Sequence, residues 1–86
     1  MGESETELEK IALLLDIDLI GPDISRIKRE HEARPIISEW RAKQIVNIRL
    51  AYATYKNKET VDSISFIFET KYNQFNEALN LRFHPD

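Results

Sequence analysis

The sequence predicts an all-α domain of about five helices in the order short, short, long, short, short. Apolar residues recur at intervals of three and four along most of the chain, which is the period of an amphipathic helix. Two glycines and three prolines are few, so little of the chain suits hairpins or flexible linkers. With 86 residues, we expect a single helical domain over 1–86, with residues 1–4 frayed and 85–86 as a tail.

The first predicted helix ends near Asp16. Ser4 and Glu7 have the spacing of a capping box, in which each side chain satisfies a free backbone N–H group of the other. The buried stripe of this helix consists of Leu8, Ile11, Ala12 and Leu15. In the connection over residues 16–21, we expect three apolar side chains to plug the core: Ile17, Leu19 and Ile20.

The second predicted helix covers residues 22–33. Pro22 suits its first turn, where the missing N–H group needs no partner. The helix would bury Ile24 and Ile27 and expose three cations: Arg26, Lys28 and Arg29. It is expected to end at Arg34, because a residue before proline avoids the helical region.

The long central helix is predicted over residues 35–56 and has two apolar stripes. The first stripe is Ile37, Trp40, Ile45, Ile48, Tyr52 and Tyr55; the second is Ala42, Val46, Leu50 and Ala53. A helix that is apolar on two sides should have neighbours on both faces. We expect Trp40 to anchor the core, with its indole N–H bonded to a backbone carbonyl or water.

Residues 59–84 are predicted to form two short helices. The first carries Val61, Ile64, Ile67 and Phe68, and the second carries Tyr72, Phe75, Leu79 and Phe83. Only residues 69–71 separate them, so we expect a sharp turn there. Two short helices that meet at a tight turn have the shape of a helix-turn-helix, whose second helix can enter a DNA major groove.

Charge is distributed unevenly along the chain. Residues 22–58 hold nine Lys or Arg against four Asp or Glu, whereas the two flanking segments are acidic and the formal net charge is −3. The middle segment is therefore either a basic face between acidic ends or a set of ordinary solvated helix faces.

Composition weighs against several classes of protein. Cysteine is absent, which excludes disulfides and thiolate metal sites. The longest apolar run, residues 11–15, is far below the ~20 residues of a membrane span, so we expect a cytoplasmic protein with no membrane partner. We interpret His31 as a structural histidine, because no second ligand lies at metal spacing. Without a phosphate loop or nucleophile elbow, we expect no enzyme and no cofactor.

Four stretches together resemble a known family. They are Ile11-Ala12; Ile27-Lys28-Arg29-Glu30 with Pro35-Ile36; residues 60–65; and Tyr72, Phe75, Leu79 and Arg82-Phe83. Their order is similar to the DNA-binding domain of the AraC/XylS transcription activators, in which a long helix joins two helix-turn-helix units. The resemblance implies helix-turn-helix pairs around the central helix. Asp16 and Glu69 stand where the family has turn glycines.

The first functional hypothesis is a small transcriptional regulator that binds duplex DNA through its second and last helices. Arg and Lys suit phosphates or guanine, while Asn and Gln can pair with adenine. The candidate residues are Arg26, Lys28 and Arg29 on the second helix, and Lys71, Asn73, Gln74, Asn76 and Asn80 on the last. For any one of them, the alternative is an ordinary polar position on an amphipathic helix.

The second hypothesis is a protein-binding module without DNA binding, such as an anti-activator, a phage-type inhibitor or an adaptor that acts on a regulatory protein. The acidic total and the missing turn glycines favour it. Phe66 lies off the main apolar stripe and is the candidate interface residue, and a homodimer would use the same patch. The resemblance places DNA-linked regulation slightly ahead.

Overall fold

The computed structural model describes the backbone of residues 2–86 and the side chains of residues 7–86. Three helices occur in this part of the chain: α1 (Gly2–Leu14), α2 (Glu30–Thr54) and α3 (Lys58–Phe83). The all-α class is confirmed, but the prediction of about five helices in helix-turn-helix-like pairs is wrong. The capping box at Ser4 and the fraying of residues 1–4 involve parts that lie outside the described residues.

α1 ends at Leu14, and the residues that follow satisfy its last carbonyls through backbone hydrogen bonds. Asp16 N donates to Leu13 O (3.1 Å) and Ile17 N to Ala12 O (2.8 Å), a pattern that satisfies the last carbonyls of a helix. Asp16 adopts the left-handed conformation with φ 64°. An aspartate therefore fills the position at which glycine is the usual residue.

The predicted second helix over residues 22–33 is wrong, because most of this segment is a loop and the next helix begins only at Glu30. The backbone of the loop is satisfied by side chains instead. Asp23 Oδ1 accepts from the N–H of Ser25 (3.0 Å), and the Arg82 guanidinium donates to Ile24 O (2.6 Å) and to Ile27 O. Ile24 and Ile27 reach the core without a helix, since one turn already brings residues three apart to the same side.

α2 runs through the Arg34-Pro35 step, so the predicted helix end at Arg34 is wrong. Pro35 lies in the second turn and cannot donate a backbone hydrogen bond. Arg34 offsets this loss, because its guanidinium donates to Glu30 Oε2 (2.8 Å), Asn76 Oδ1 (3.1 Å) and Asn80 Oδ1 (2.6 Å). These bonds join the first turns of α2 to the last turns of α3.

α3 is one continuous helix, so the predicted turn at residues 69–71 is wrong. Neither glycine nor proline occurs there, and Glu69 forms an ion pair with Arg41 of α2 (3.3 Å). The two apolar stripes are in phase and form a single stripe with spacings of three and four: Val61, Ile64, Phe68, Tyr72, Phe75, Leu79 and Phe83. No break is needed for both halves to face the same core.

α2 and α3 form an antiparallel hairpin, and α1 packs against α3. The core lies between them. The centroid of the Trp40 ring is 5.0 Å from that of Phe68, which it contacts edge-on, and 5.3 Å from that of Phe75. Trp40 is thus a core anchor as expected, although its indole N–H has no acceptor among the described residues. The fully buried core residues include Ala33, Ile37, Val61, Ile64, Phe68 and Leu79.

Among the described residues, neighbours lie on only one face of α2, so the expectation of packing on both faces is wrong for this part of the chain. Val46 and Leu50, from the second apolar stripe, are 53% and 59% exposed. No helix in the described part of the chain has both the length and the apolar character that crossing a membrane requires.

Candidate functional site

The candidate DNA-contacting residues on α3 do not share one face. Asn76 and Asn80 lie beside α2, where their side-chain oxygens accept hydrogen bonds from Arg34. Lys71 and Gln74 lie on the α1 side and line a groove there. Asn73 is exposed and is part of neither group. The five polar side chains therefore point to different surroundings.

The three cations expected on a second helix lie in the loop before α2. Arg26, Lys28 and Arg29 are all exposed, and Arg29 is the N-cap residue of α2. Among the described side chains, none of the three forms an ion pair. They remain available to an anion, but no helix aligns them with the polar residues of α3.

Phe66, the candidate interface residue, is 73% exposed on the outward side of α3. None of the described cavities includes it. It is an isolated apolar side chain on a polar helix face.

A polar cluster joins the start of α2 to the end of α3. Glu30 accepts hydrogen bonds from Arg34 (2.8 Å), and its second oxygen lies 2.7 Å from Nε2 of His84. These two partners, Arg34 first and His84 second, hold the pKa of Glu30 below its ordinary value of 4.5. The cluster therefore joins the beginning of α2 to the end of α3 and stabilises that end of the hairpin.

A second ionic cluster lies at the hairpin tip. The Lys58 ammonium is 2.8 Å from Asp62, and the Tyr52 hydroxyl donates to the same carboxylate. These bonds lower the pKa of Asp62, and the carboxylate raises the pKa of Lys58. The three side chains bond to one another, so we interpret this cluster as structural.

The loop between α1 and α2 is built around the side chain of Asp18. Asp18 Oδ1 accepts from the N–H groups of Ile20 (2.8 Å) and Gly21 (3.2 Å), which closes a tight turn. The N–H of Asp18 in turn donates to Oε1 of Gln44 (2.6 Å), a buried residue of α2. The turn is therefore fixed to the core.

Gly21 brings this turn against α3. Its φ of +87° favours glycine, and a Cβ at this position would lie 2.7 Å from Cζ of Phe75 and closer still to Cε2. The backbone thus lies directly on an aromatic ring of the core. No larger residue fits without displacing Phe75.

This construction leaves Ile20 projecting into solvent at 87% exposure, between two grooves. Beside α1 lies a groove of about 430 Å³ whose apolar lining is Leu13, Ile17, Leu19 and Ile20 and whose charged lining is Glu9, Lys10, Asp16 and Asp18. Beside α3 lies one of about 460 Å³ with the apolar lining Leu19, Ile20, Phe75 and Ala78 and the polar lining Glu9, Lys71 and Gln74. Leu13, itself 78% exposed, borders the first groove. We refer to Leu13, Leu19, Ile20, Phe75 and Ala78 as the Ile20 surface.

Sequence reasoning identified two of the three apolar residues in this connection correctly. Ile17 and Leu19 are buried and plug the core as expected, whereas Ile20 does not. The alternation of residues 17 and 19 is the pattern of an extended segment, in which residue 20 points away. The neighbouring glycine is the second signal, because glycine is typical of tight turns and of close backbone approaches.

No family model, curated protein or solved structure matches the chain. Among the described residues, no group of three His, Cys, Asp or Glu side chains is placed to hold a metal ion.

Proposed function

We propose that the chain is a non-enzymatic protein-binding module that contacts its partner through the Ile20 surface. The observation that carries this proposal is the fixed exposure of Ile20. A loop residue this apolar is held out in solvent by a turn whose N–H groups are bonded to Asp18, and by a buried glutamine behind that turn. Its exposure follows from the fold and not from a disordered loop.

Fixed apolar side chains are effective binding groups. Burying one isoleucine contributes about 1.5–3 kcal/mol, and a side chain on a rigid turn loses little further freedom when it binds. The two grooves beside Ile20 provide the concave surroundings in which a partner can enclose it. Leu13 and Phe75 extend the apolar contact on either side.

The test is affinity capture from the cells of origin, followed by affinity measurement with the purified partner. We expect Ile20→Ser to weaken binding by about tenfold or more, because the apolar contribution is lost. Leu81→Ser is the matched control, since Leu81 is 65% exposed on α3 outside the Ile20 surface. Phe66→Ser tests the interface residue expected from sequence.

Equal binding by the wild type and the Ile20→Ser variant contradicts the proposal. If the partner is a second copy of the chain, sedimentation shows a dimer that Ile20→Ser alone dissociates. Loss of binding in Phe66→Ser, with Ile20→Ser unaffected, would place the interface on α3 instead.

Duplex DNA is the second candidate, favoured by the exposed cations Arg26, Lys28 and Arg29 and by the resemblance to AraC/XylS activators. Binding to random duplex DNA is measured across a salt series for the wild type and for the triple alanine variant. Each lost phosphate contact reduces the salt slope by about 0.9. No binding at low salt removes this candidate, and salt-dependent binding lost in the variant favours it over the protein-binding module.

A further inference from the structure

A cleft of about 350 Å³ lies at the tip of the helical hairpin, where α2 ends and α3 begins. We call it the tip cleft, and its lining is Tyr52, Ala53, Thr54, Tyr55, Lys56 and Lys58. Two of these residues are aromatic, two are cationic and none is acidic. The lining therefore combines flat rings with positive charge.

The two tyrosine rings of the tip cleft are partly open to solvent. Tyr52 is 41% exposed and Tyr55 is 36% exposed. The Tyr52 ring is held at its far end, because its hydroxyl donates to the carboxylate of Asp62 on α3. The backbone of Tyr55 is held by the bond from its N–H group to Ala51 O (2.7 Å). A ring that is already fixed loses little freedom when a planar group stacks on it.

The cations at the tip outnumber the acids. The cations are Arg49, Lys56 and Lys58, and the acids are Glu59 and Asp62, neither of which lines the cleft. Lys58 is paired with Asp62 (2.8 Å), whereas Lys56 forms no ion pair with a described side chain. Asp62 thus partly neutralises Lys58, and Lys56 is available to an anion.

A ring beside an ammonium group is the combination that binds a nucleotide. Every base has a π-face, so any base can stack on a tyrosine. The lysine ammonium is a point charge that suits a phosphate group. The volume of the tip cleft is at the lower end of the range of small-molecule sites, about 300–1,000 Å³, and is therefore suited to one nucleotide unit.

We propose that the tip cleft binds a nucleotide, with the base stacked on Tyr52 or Tyr55 and the phosphate beside Lys56. The nucleotide is either free or part of a single strand, since both present the same chemistry. A DNA duplex does not present it, because its bases are stacked inside the double helix.

The tip cleft is separate from both surfaces of the proposed function. It shares no residue with the Ile20 surface or the grooves beside it. The loop cations Arg26, Lys28 and Arg29 precede α2, which is about 38 Å long, so they lie at its other end. The inference therefore goes beyond the proposed function and is tested independently of it.

Four probes separate the ring from the charge: adenosine monophosphate, adenosine, inorganic phosphate, and a single strand of about ten deoxyadenosines. Binding is followed by the amide shifts of the full chain in NMR spectra. We expect adenosine monophosphate to shift residues 52–58 selectively. It should bind about fivefold or more tightly than adenosine or phosphate, because only the nucleotide has both groups. Tighter binding of the strand assigns the cleft to single-stranded nucleic acid, and equal or weaker binding assigns it to a free nucleotide.

Matched variants test the two contributions. Tyr52→Leu with Tyr55→Leu should weaken adenosine monophosphate by about tenfold or more, whereas Phe66→Leu, at another exposed aromatic residue, should not. Lys56→Gln should remove the advantage of the nucleotide over adenosine. Lys43→Gln, at an exposed lysine in the middle of α2, should leave that advantage unchanged.

Asp62→Asn separates ligand binding from a structural role. The amide oxygen can still accept from the Tyr52 hydroxyl, but the side chain no longer neutralises Lys58. Adenosine monophosphate should therefore bind about twofold to fivefold more tightly, although the variant has lost an ion pair. Weaker binding in Asp62→Asn, with thermal unfolding unchanged, would contradict the assigned role of the lysines.

The proposal is overturned if phosphate or adenosine binds as tightly as the nucleotide, or if the double tyrosine variant binds it like the wild type. It is also overturned if neither the nucleotide nor the strand shifts residues 52–58, or if the strand shifts only the loop at residues 26–29. Ile20→Ser and the triple alanine variant of the loop cations should bind adenosine monophosphate as the wild type does. The proposed function can therefore fail while this inference holds, and the reverse.

Discussion

The two connections between the helices are held in different ways. The long one, residues 15–29, is fixed by side chains from distant elements: Gln44 and Asn47 of α2 bond its first half, and Arg82 of α3 bonds its second half. The short one, residues 55–57, is fixed locally. Asn57 caps α3 by accepting from Thr60 N (3.3 Å), and Tyr55 N donates to Ala51 O (2.7 Å).

This difference explains where the candidate binding surface lies. A connection fixed by local bonds does not depend on distant side chains for its shape. Its backbone only continues the ends of the two helices, so it holds no aliphatic side chain in solvent. A connection fixed from a distance can hold an apolar side chain such as Ile20 in solvent. Its shape then depends on each distant anchor.

The largest effect is expected from Gly21→Ala. The new Cβ meets Phe75, and the φ of +87° is strained for any other residue, so we expect a loss of about 2–4 kcal/mol in the free energy of unfolding. Urea unfolding measures it. Phe75→Leu should partly relieve the clash. The loss of unfolding free energy in the double variant should therefore be smaller than the sum of the losses in the two single variants. Full additivity would mean that the close contact is absent.

The next effect is expected from Gln44→Ala, which removes the anchor of the long connection. The N–H of Asp18 then loses its partner, and a buried side chain is truncated, at a cost of about 1–3 kcal/mol. Amide hydrogen exchange should rise at residues 18–21 and not at 55–57. A uniform rise over the whole chain would show that Gln44 supports the core in general and not this connection.

A smaller effect is expected from Asn57→Ala in the short connection. Loss of one exposed cap costs about 1 kcal/mol of unfolding free energy. The exchange of residues 18–21 should stay as in the wild type, because the two connections share no bond. Thermal unfolding with exchange measurements on the same sample checks both statements.

The smallest effect concerns pH. The pKa of Glu30 is lowered in the folded state by Arg34 and His84, so its contribution to stability is present above its ordinary value of 4.5. It is lost as the pH falls through the lower, folded value. The stability difference between the wild type and Glu30→Gln should therefore shrink as the pH falls below about 4.5. A constant difference down to about pH 2 would contradict the pairing.

Sequence reasoning succeeded where one periodic pattern determined one element. The all-α class, the end of α1 near Asp16 and the core position of Trp40 followed from spacing and residue type. The apolar stripe from Val61 to Phe83 keeps one helical phase throughout, which predicts that α3 is continuous. Divided into two stripes, the same residues predict a turn at residues 69–71, which α3 does not form.

The remaining errors have tertiary causes. In the non-helical segment 22–29, the carbonyl groups of Ile24 and Ile27 are bonded by Arg82, which is more than fifty residues away along the chain. Proline at position 35 does not end α2, since Arg34 bonds that turn to Asn76 and Asn80. The exposure of Ile20 depends on Gln44 and Phe75 in the same way. Partners this distant leave no mark in the local sequence.

The central claim is that the turn at residues 18–21 is rigid and holds Ile20 in solvent for a partner. Backbone order parameters from ¹⁵N relaxation of the free protein test it most directly. We predict a value at Ile20 close to about 0.85, equal to that of α2 and α3. A value below about 0.6 would show a flexible loop and would contradict the account.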